Sequence, residues 1–178
     1  MEEFHVVNIA GMEVSLPLVE VAPGIRVAFL NLHGKPRLTE HCASKITELA
    51  TDVDVILTAE SKGFELAHCV ARNLGHEAYA VARKATKQYM KEGIFVTVKT
   101  ITTEIRQTLF LSKEDANLLK GKRVAIVDDV ISTGESLAAL EEITNKAGGT
   151  VAKRLFVLAE ADAVKRKDIA YLAYIPLF

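Results

Sequence analysis

The chain has 178 residues, of which 49% are hydrophobic and 25% charged, and its formal net charge at pH 7 is −1. A chain of this length can bury a full core in one domain without metals or disulfides. The charge gives no general attraction to nucleic acid, and no apolar run approaches membrane-spanning length. The opening MEEFHVVNIAG carries acids where a secretory signal needs basic residues, so we expect a cytosolic protein with no membrane partner.

The N-terminal 34 residues carry short alternating runs broken by glycine and proline, which predict two or three short strands. Helical spacing from Thr39 to Ala50 then predicts a first helix. Cys42 and Cys69 lack metal or redox spacing and are predicted to be reduced core residues. Further predicted elements are a strand over 53–58, a helix over 63–74, a strand over 78–82, an extended pair at 94–98 and 107–111, and strands at 151–158 and 171–177.

The most informative segment is VAIVDDVISTGES, residues 124–136. Its β-branched start predicts a strand that is buried on both faces and central in a parallel sheet. Asp128 and Asp129 end this run, and two unpaired carboxylates are costly to bury, so we expect them where the strand emerges into a cleft. A hydroxyl- and glycine-rich turn follows and leads into a helix that ends near Gly148. Such a turn suits a phosphate, and acids beside it indicate a sugar phosphate.

Strands that alternate with helices demand a parallel sheet whose carboxyl edge binds ligands. Two other loops should therefore face the acids: Ala59 to Gly63, and Arg83 to Lys87. The first offers a cation at a helix start and the second offers three cations. Alone, those cations would be interpreted as a solvated charge run. On this edge they form a site for a second, more highly charged anion.

VAIVDDVISTGES resembles the phosphoribosyl-pyrophosphate signature of the type I phosphoribosyltransferases, and the resemblance extends from about Leu38 onward, within the purine branch. It implies an α/β fold with a central, mostly parallel sheet flanked by helices. It also implies a small N-terminal β-rich hood at residues 1–37, a core at 38–178 and a flexible lid hairpin at about 93–111. The polar stretch from Thr97 to Arg106 is the best lid candidate.

The resemblance implies that phosphoribosyl pyrophosphate and a purine base are the substrates. Mg²⁺ would arrive on the substrate, with no direct protein ligand. A homodimer is also implied. The residues that it assigns are Asp128 and Asp129 for the ribose and for catalysis, Ser132, Thr133, Gly134, Glu135 and Ser136 for the 5′-phosphate, and Ser61, Lys62, Gly63, Arg83, Lys84 and Lys87 for the pyrophosphate.

The sequence departs from the family pattern at three places. Lys62 stands where related purine enzymes usually have arginine, which keeps the charge but loses bidentate geometry. Glu135 stands where many members have glycine, so we expect its backbone N–H to serve the phosphate while its side chain either turns away or caps the helix start. Glu104 matches the acid of a Glu-Tyr pair in the lid of adenine enzymes, but Ile105 replaces the aromatic. Glu104 is either a catalytic acid or an exposed loop acid.

The choice of base rests on PGIRVAFLN, residues 23–31, which resembles the Pro-Gly turn of adenine phosphoribosyltransferases. Other segments resemble archaeal hypoxanthine and bacterial xanthine enzymes. Adenine is the first choice, ahead of hypoxanthine, guanine or xanthine. Phe29 is the candidate aromatic beside the base, and a core aromatic is the alternative interpretation.

Proteins of other classes fit less well. A non-catalytic sensor of phosphoribosyl pyrophosphate would usually carry an added DNA-binding domain, for which this chain has no spare length or basic helix. A receiver domain would need its acids after the first strand, and a nucleotide hydrolase would need a G-x-x-x-x-G-K-[ST] loop. The enzyme interpretation requires Asp128 and Asp129 to face the basic loops rather than to be locked in internal ion pairs.

Overall fold

The computed structural model describes residues 3–84, 92–99 and 106–178. Its strands are β1 (Phe4–Ile9), β2 (Met12–Ala22), β3 (Ile25–Ala28), β4 (Val55–Ala59), β5 (Ala80–Ala82), β6 (Gly93–Lys99), β7 (Arg106–Ser112), β8 (Arg123–Ile131), β9 (Thr150–Glu160) and β10 (Ala170–Ile175). Its helices are α1 (Pro36–Leu49), α2 (Phe64–Asn73), α3 (Lys113–Leu119) and α4 (Glu135–Lys146), with a 3-10 helix at Ala161–Lys165.

Five strands form the central sheet in the order β10-β9-β8-β4-β5, and all of their pairings are parallel. β8 occupies the middle, and residues 124–127 are fully buried there. A middle strand with helices on both faces has no solvated side, which explains its unbroken apolar run. The predicted α/β fold, with a central parallel sheet flanked by helices, is confirmed.

Residues on β8 alternate between two hydrophobic clusters, one on each face of the sheet. Ala125 and Val127 pack in the cluster that contains α1, α2 and the N-terminal strands. Val124 and Ile126 pack in the cluster that contains α3, α4 and the β6–β7 hairpin. Since successive strand residues point to opposite faces, Asp128 continues the α4 face and Asp129 continues the face of α2 and the N-terminal strands.

The N-terminal strands form a separate antiparallel sheet in the order β1-β2-β3. Ile9 and Leu16 on its inner face are buried against the core cluster. The tail after β10 ties this sheet down, because Phe178 and Arg26 exchange two backbone hydrogen bonds of 2.8 and 3.0 Å. The His41 ring adds a further link, with Nε2 lying 2.8 Å from the Ile9 carbonyl oxygen.

β6 and β7 form the predicted antiparallel pair. Arg83, directly after β5, exchanges backbone hydrogen bonds of 2.7 and 2.8 Å with Phe110 and so joins this hairpin to the edge of the central sheet. Residues 100–105 of the predicted lid, which include Glu104, lie outside the described residues, and so does Lys87.

Helix α3 was not predicted, although the sequence carries a signal for it. Ser112 caps its start: the backbone N–H of Asp115 donates to Ser112 Oγ at 3.1 Å, and that hydroxyl donates to Asp115 Oδ2 at 2.6 Å. Ser112 is therefore the N-cap of α3, and two acids follow in the first turn, a signal visible in the sequence as Ser-Lys-Glu-Asp. Across residues 3–84, 92–99 and 106–178, the structure has no helix with the length and apolar character needed to span a membrane.

Candidate active site

Asp128 and Asp129 lie within β8, near its carboxyl end. Pairing with β4 stops at Leu57 opposite Ile126, whereas pairing with β9 continues to Ile131. The acids therefore keep one hydrogen-bonded edge, and their other edge is open to the loop that follows β4. Only 7% of Asp128 and 5% of Asp129 is exposed. The acids were predicted where the strand emerges into a cleft, and Asp128 does line a cavity there. The strand itself continues through both acids to Ile131, because pairing with β9 extends it.

The loop after β4 packs directly on the acid pair. Ser61 Oγ donates to Asp128 Oδ1 at 2.8 Å and accepts from the backbone N–H of Gly63 at 3.2 Å. The backbone N–H of Asp129 donates to the same carboxylate oxygen at 2.9 Å. A β-carbon on Gly63 would lie 2.4 Å from Asp128 Oδ1 and 2.9 Å from the Asp128 Cα. Glycine at this position is thus required by the close approach of the two backbones.

Lys62 makes three contacts that connect the acids to the N-terminal segment. Its Nζ lies 3.2 Å from Asp129 Oδ2, donates to the Leu30 carbonyl oxygen at 3.1 Å, and sits 4.4 Å from the centroid of the Phe29 ring. The acids therefore face the loop that was predicted to bind pyrophosphate, as the enzyme interpretation requires. Asp129 is nevertheless ion-paired to a residue of that loop, so a ligand between them must displace the Lys62 ammonium.

The electrostatics of the two acids differ. Burial, followed by the adjacent charge of Asp129, raises the pKa of Asp128 to about 7, while the hydrogen bond from Ser61 opposes this rise. Asp129 Oδ2 is buried and, among the described residues, lacks a partner with hydrogen-bond geometry despite its ion pair with Lys62. A buried oxygen in this state favours an incoming donor or cation.

The loop after β8 forms the predicted cup. Asp128 and the five residues Ser132, Thr133, Gly134, Glu135 and Ser136 line one cavity of about 140 Å³. Gly134 is the N-cap of α4 with φ +83°, a left-handed conformation that glycine adopts without strain. The start of a helix presents backbone N–H groups that favour an anion. The cup and Asp128 therefore share one cavity at the carboxyl edge of the sheet.

Among the described residues, neither Arg83 nor Lys84 contacts the acids, and Lys87 lies outside that part of the chain. Arg83 follows edge strand β5, two strands from β8, which separates their backbones by roughly 10 Å. Its Nε is buried and, within the part of the chain that the structure describes, has no hydrogen-bond partner. The Lys84 backbone N–H donates to Glu60 Oε2 at 3.4 Å.

Phe29 is 39% exposed, so the alternative interpretation of it as a core aromatic is wrong. Sequence reasoning missed Leu30, whose carbonyl oxygen accepts from Lys62, because a backbone contact leaves no mark on residue type. It also missed Arg166, whose Nη1 would lie 2.9 Å from a β-carbon on Gly134. No sequence pattern joins these two distant residues.

Within residues 3–84, 92–99 and 106–178, no cluster of three or more His, Cys, Asp or Glu side chains is placed to hold a metal ion. The adjacent carboxylates of Asp128 and Asp129 suit a hydrated, hard cation such as Mg²⁺, and the orphaned Asp129 Oδ2 could accept from its bound water. The donor set therefore fits a cation that arrives with a substrate.

Comparison with proteins of known sequence shows purine phosphoribosyltransferases of three base specificities. An adenine phosphoribosyltransferase from Agathobacter rectalis is 34% identical over 65% of this chain and 63% of its own length. A hypoxanthine/guanine phosphoribosyltransferase from Methanococcus voltae is 35% identical over 66% and 58%, respectively. A xanthine phosphoribosyltransferase from Bifidobacterium adolescentis is 31% identical over 70% and 65%. The chain thus matches about three fifths of the length of these relatives.

Solved structures show the same fold. The adenine phosphoribosyltransferase of Thermoanaerobacter pseudethanolicus has a TM-score of 0.69 at 19% identity, covering 97% of this chain and 95% of that one. The enzyme of Trypanosoma brucei, in complex with AMP, pyrophosphate and ribose-5-phosphate, has a TM-score of 0.64 at 19% identity, covering 84% and 70%. The family model of the phosphoribosyl transferase domain matches residues 30–175, which include every described site residue except Phe29. The chain therefore belongs to the phosphoribosyl transferase family.

Proposed function

We propose that the protein is a purine phosphoribosyltransferase that transfers the 5-phosphoribosyl group of phosphoribosyl pyrophosphate to a free purine and releases pyrophosphate. One observation carries this proposal. The buried acid pair, the cup at the start of α4 and the loop from Ser61 to Gly63 meet at the carboxyl edge of one parallel sheet. A ribose that carries phosphate at one end and pyrophosphate at the other would contact all three.

Each part of this site has a distinct task. The cup binds the 5′-phosphate, and Asp128 and Asp129 accept hydrogen bonds from the ribose hydroxyls. Lys62 leaves Asp129 and offsets the charge of the pyrophosphate, because its Nζ lies only 3.2 Å from the carboxylate that the ribose would engage. Arg83, Lys84 and Lys87 remain proposed pyrophosphate contacts, and Glu104 remains a proposed lid acid.

In the reaction, a purine nitrogen forms a bond to C1 of the ribose while the bond from C1 to the pyrophosphate oxygen breaks. The electron pair of that bond leaves with the pyrophosphate, and the nitrogen's proton passes to a base or to solvent. Mg²⁺ bound with the substrate would supply charge neutralisation of the leaving group. Ionised Asp128 and Asp129 would stabilise the positive charge that grows on the ribose ring.

Adenine is the first candidate base, supported by the relative from Agathobacter rectalis. Hypoxanthine or guanine is the second candidate, and a contact of Lys62 favours it. The Lys62 ammonium lies over Phe29, the proposed base-binding aromatic. An ammonium is a hydrogen-bond donor only, so beside a purine it would bind the exocyclic carbonyl oxygen of an oxopurine better than the amino group of adenine.

A steady-state screen tests the proposal. The purified protein is given phosphoribosyl pyrophosphate, Mg²⁺ and one of adenine, hypoxanthine, guanine, xanthine, uracil or orotate, and pyrophosphate release is measured. We expect turnover with at least one purine and none with the pyrimidines.

The double variant Asp128→Asn/Asp129→Asn should lose both turnover and cosubstrate binding while it keeps its circular dichroism spectrum. Tight cosubstrate binding without consumption of any base would instead support the sensor. The homodimer and the cytosolic location stay predictions.

A further inference from the structure

We infer that Arg166 is a positioning residue for the 5′-phosphate, acting on the cup from outside the cavity through the backbone of Gly134. The inference rests on the proposed function, because it assigns a residue to the same substrate. Neither the signature sequence nor its loop contains Arg166, which follows the 3-10 helix some thirty residues later in the chain.

The first observation is the closeness of the guanidinium to the cup. A β-carbon on Gly134 would lie 2.9 Å from Arg166 Nη1, a contact shorter than real β-carbons show. The Arg166 guanidinium therefore packs against the residue that begins α4 and closes the cup. Arg166 is absent from the residues that line the 140 Å³ cavity, so it supports the loop from behind.

The second observation is that the guanidinium is held in one orientation. Arg166 Nε donates to Asp168 Oδ1 at 3.0 Å, and Nη2 donates to Asp168 Oδ2 at 2.7 Å. This fork-to-fork pair fixes the guanidinium plane and directs Nη1 to the loop. Arg154 on β9 lies 3.8 Å from Asp168 and also pairs with Glu141 of α4. The network ties the segment before β10 to the same helix whose start forms the cup.

The consequence of this contact concerns the 5′-phosphate alone. Asp168 pairs with the guanidinium and offsets much of its charge, so the contribution of Arg166 to the cup is mainly steric. By packing against Gly134, the guanidinium limits movement of the turn that begins α4, so the backbone N–H groups of that turn need less reorganisation when the phosphate arrives. The acid pair and the Ser61–Gly63 loop contact other parts of the substrate and should not sense the change.

Isothermal titration calorimetry with three ligands tests this inference: phosphoribosyl pyrophosphate with Mg²⁺, ribose 5-phosphate, and pyrophosphate with Mg²⁺. In Arg166→Met, we expect the Kd of the first two ligands to rise by the same factor, about tenfold. The Kd of pyrophosphate, which carries no 5′-phosphate, should stay within twofold of the wild-type value. In steady state, the KM of phosphoribosyl pyrophosphate should rise by a similar factor while the KM of the base is unchanged.

Matched variants separate positioning from a loss of fold. Arg72→Met removes an exposed arginine that pairs with Glu40 on the surface of α1 and α2, and it should alter none of the three Kd values. Arg166→Lys keeps the charge but loses the bidentate guanidinium geometry, so it should raise the Kd of phosphoribosyl pyrophosphate and ribose 5-phosphate by a smaller factor. The same variant tests the inference if Arg166→Met does not fold.

Equal effects of Arg166→Met on all three ligands, or on none, would overturn the inference while leaving the proposed function in place. A wild-type protein that binds neither phosphate ester would overturn both.

Discussion

Asp128 is the residue whose ionisation the fold opposes most clearly. Burial raises its pKa from the ordinary value of 3.8 to about 7. In this interval the folded state holds a proton that the unfolded chain has already released. Stability therefore falls as the pH rises from about 4 to about 7, and the full cost is present above pH 7. This cost of burying an ionised carboxylate would be offset when Asp128 binds the ribose hydroxyls in the proposed substrate complex.

The variant Asp128→Asn should stabilise the ligand-free protein at high pH, because an amide oxygen can still accept from Ser61 but carries no charge. We expect its free energy of unfolding to exceed that of the wild type by about 2–4 kcal/mol at pH 8, and by little at pH 4. Urea denaturation at the two pH values measures this. A difference between the proteins that is the same at both pH values would show that charge burial is not the cause.

The raised pKa of Asp128 also predicts how binding depends on pH. Ribose hydroxyls and a hydrated Mg²⁺ prefer the ionised carboxylate, so the affinity for phosphoribosyl pyrophosphate should increase from pH 6 to pH 8 and level off above it. Calorimetry in buffers of different ionisation enthalpy should detect release of a proton on binding at pH 6. Uptake of a proton, or a flat profile, would argue against Asp128 as a ribose ligand.

Lys62 is the residue that joins two parts of the site. The variant Lys62→Met keeps much of the stem but removes the ammonium that offsets the pyrophosphate charge as it departs. We expect kcat to fall about 100-fold, with a much smaller change in the KM of the base. Lys45→Met, at an exposed pair with Glu48 on α1, is the matched control and should leave kcat unchanged. A rise in the KM of the base alone would place Lys62 in base binding instead.

At the scale of elements, the loop after β4 is fitted to β8 by the absence of a side chain at Gly63. In Gly63→Ala, the new methyl group would clash with Asp128 Oδ1 and with backbone, which cannot move as a side-chain end can. We expect a loss of about 2 kcal/mol or more in unfolding free energy and a loss of turnover of at least 100-fold. Gly75→Ala meets open space at φ +74°, so it should cost about 1 kcal/mol of strain and leave turnover intact. Equal turnover losses in both variants would refute the close-approach argument.

Elements that depend on residue type were predictable, and those that depend on a distant partner were not. The apolar run of β8 predicted a central strand, and the turn after it predicted the start of α4. The continuation of β8 through Asp128 was missed because β9 supplies the hydrogen bonds there. α3 was not predicted although Ser112 is a favourable N-cap, because a helix of seven residues shows little apolar periodicity. The contact between Lys62 and Leu30 depends on how the N-terminal sheet docks, which no local pattern encodes.

At the scale of the whole molecule, the N-terminal sheet carries Phe29 and Leu30 to the site, so its docking should control base binding. Phe178 helps to hold it in place. Its backbone pairs with Arg26, its side chain packs against the main core cluster, and its ring lies 4.9 Å from that of His5. The acid pair, by contrast, lies on β8 of the central sheet, and the phosphate cup follows that strand directly.

The variant Phe178→Ala should therefore raise the KM of the base severalfold and leave the Kd of phosphoribosyl pyrophosphate within twofold of the wild-type value. The lost packing of a half-buried ring should lower the free energy of unfolding by about 1–2 kcal/mol. Leu177→Ala, at a neighbouring side chain that is 50% exposed, is the matched control and should change neither constant. Steady-state kinetics and calorimetry measure the two effects separately. If Phe178→Ala weakened the binding of both the base and phosphoribosyl pyrophosphate, the N-terminal sheet would act on the whole site, because both subsites would then depend on how that sheet docks.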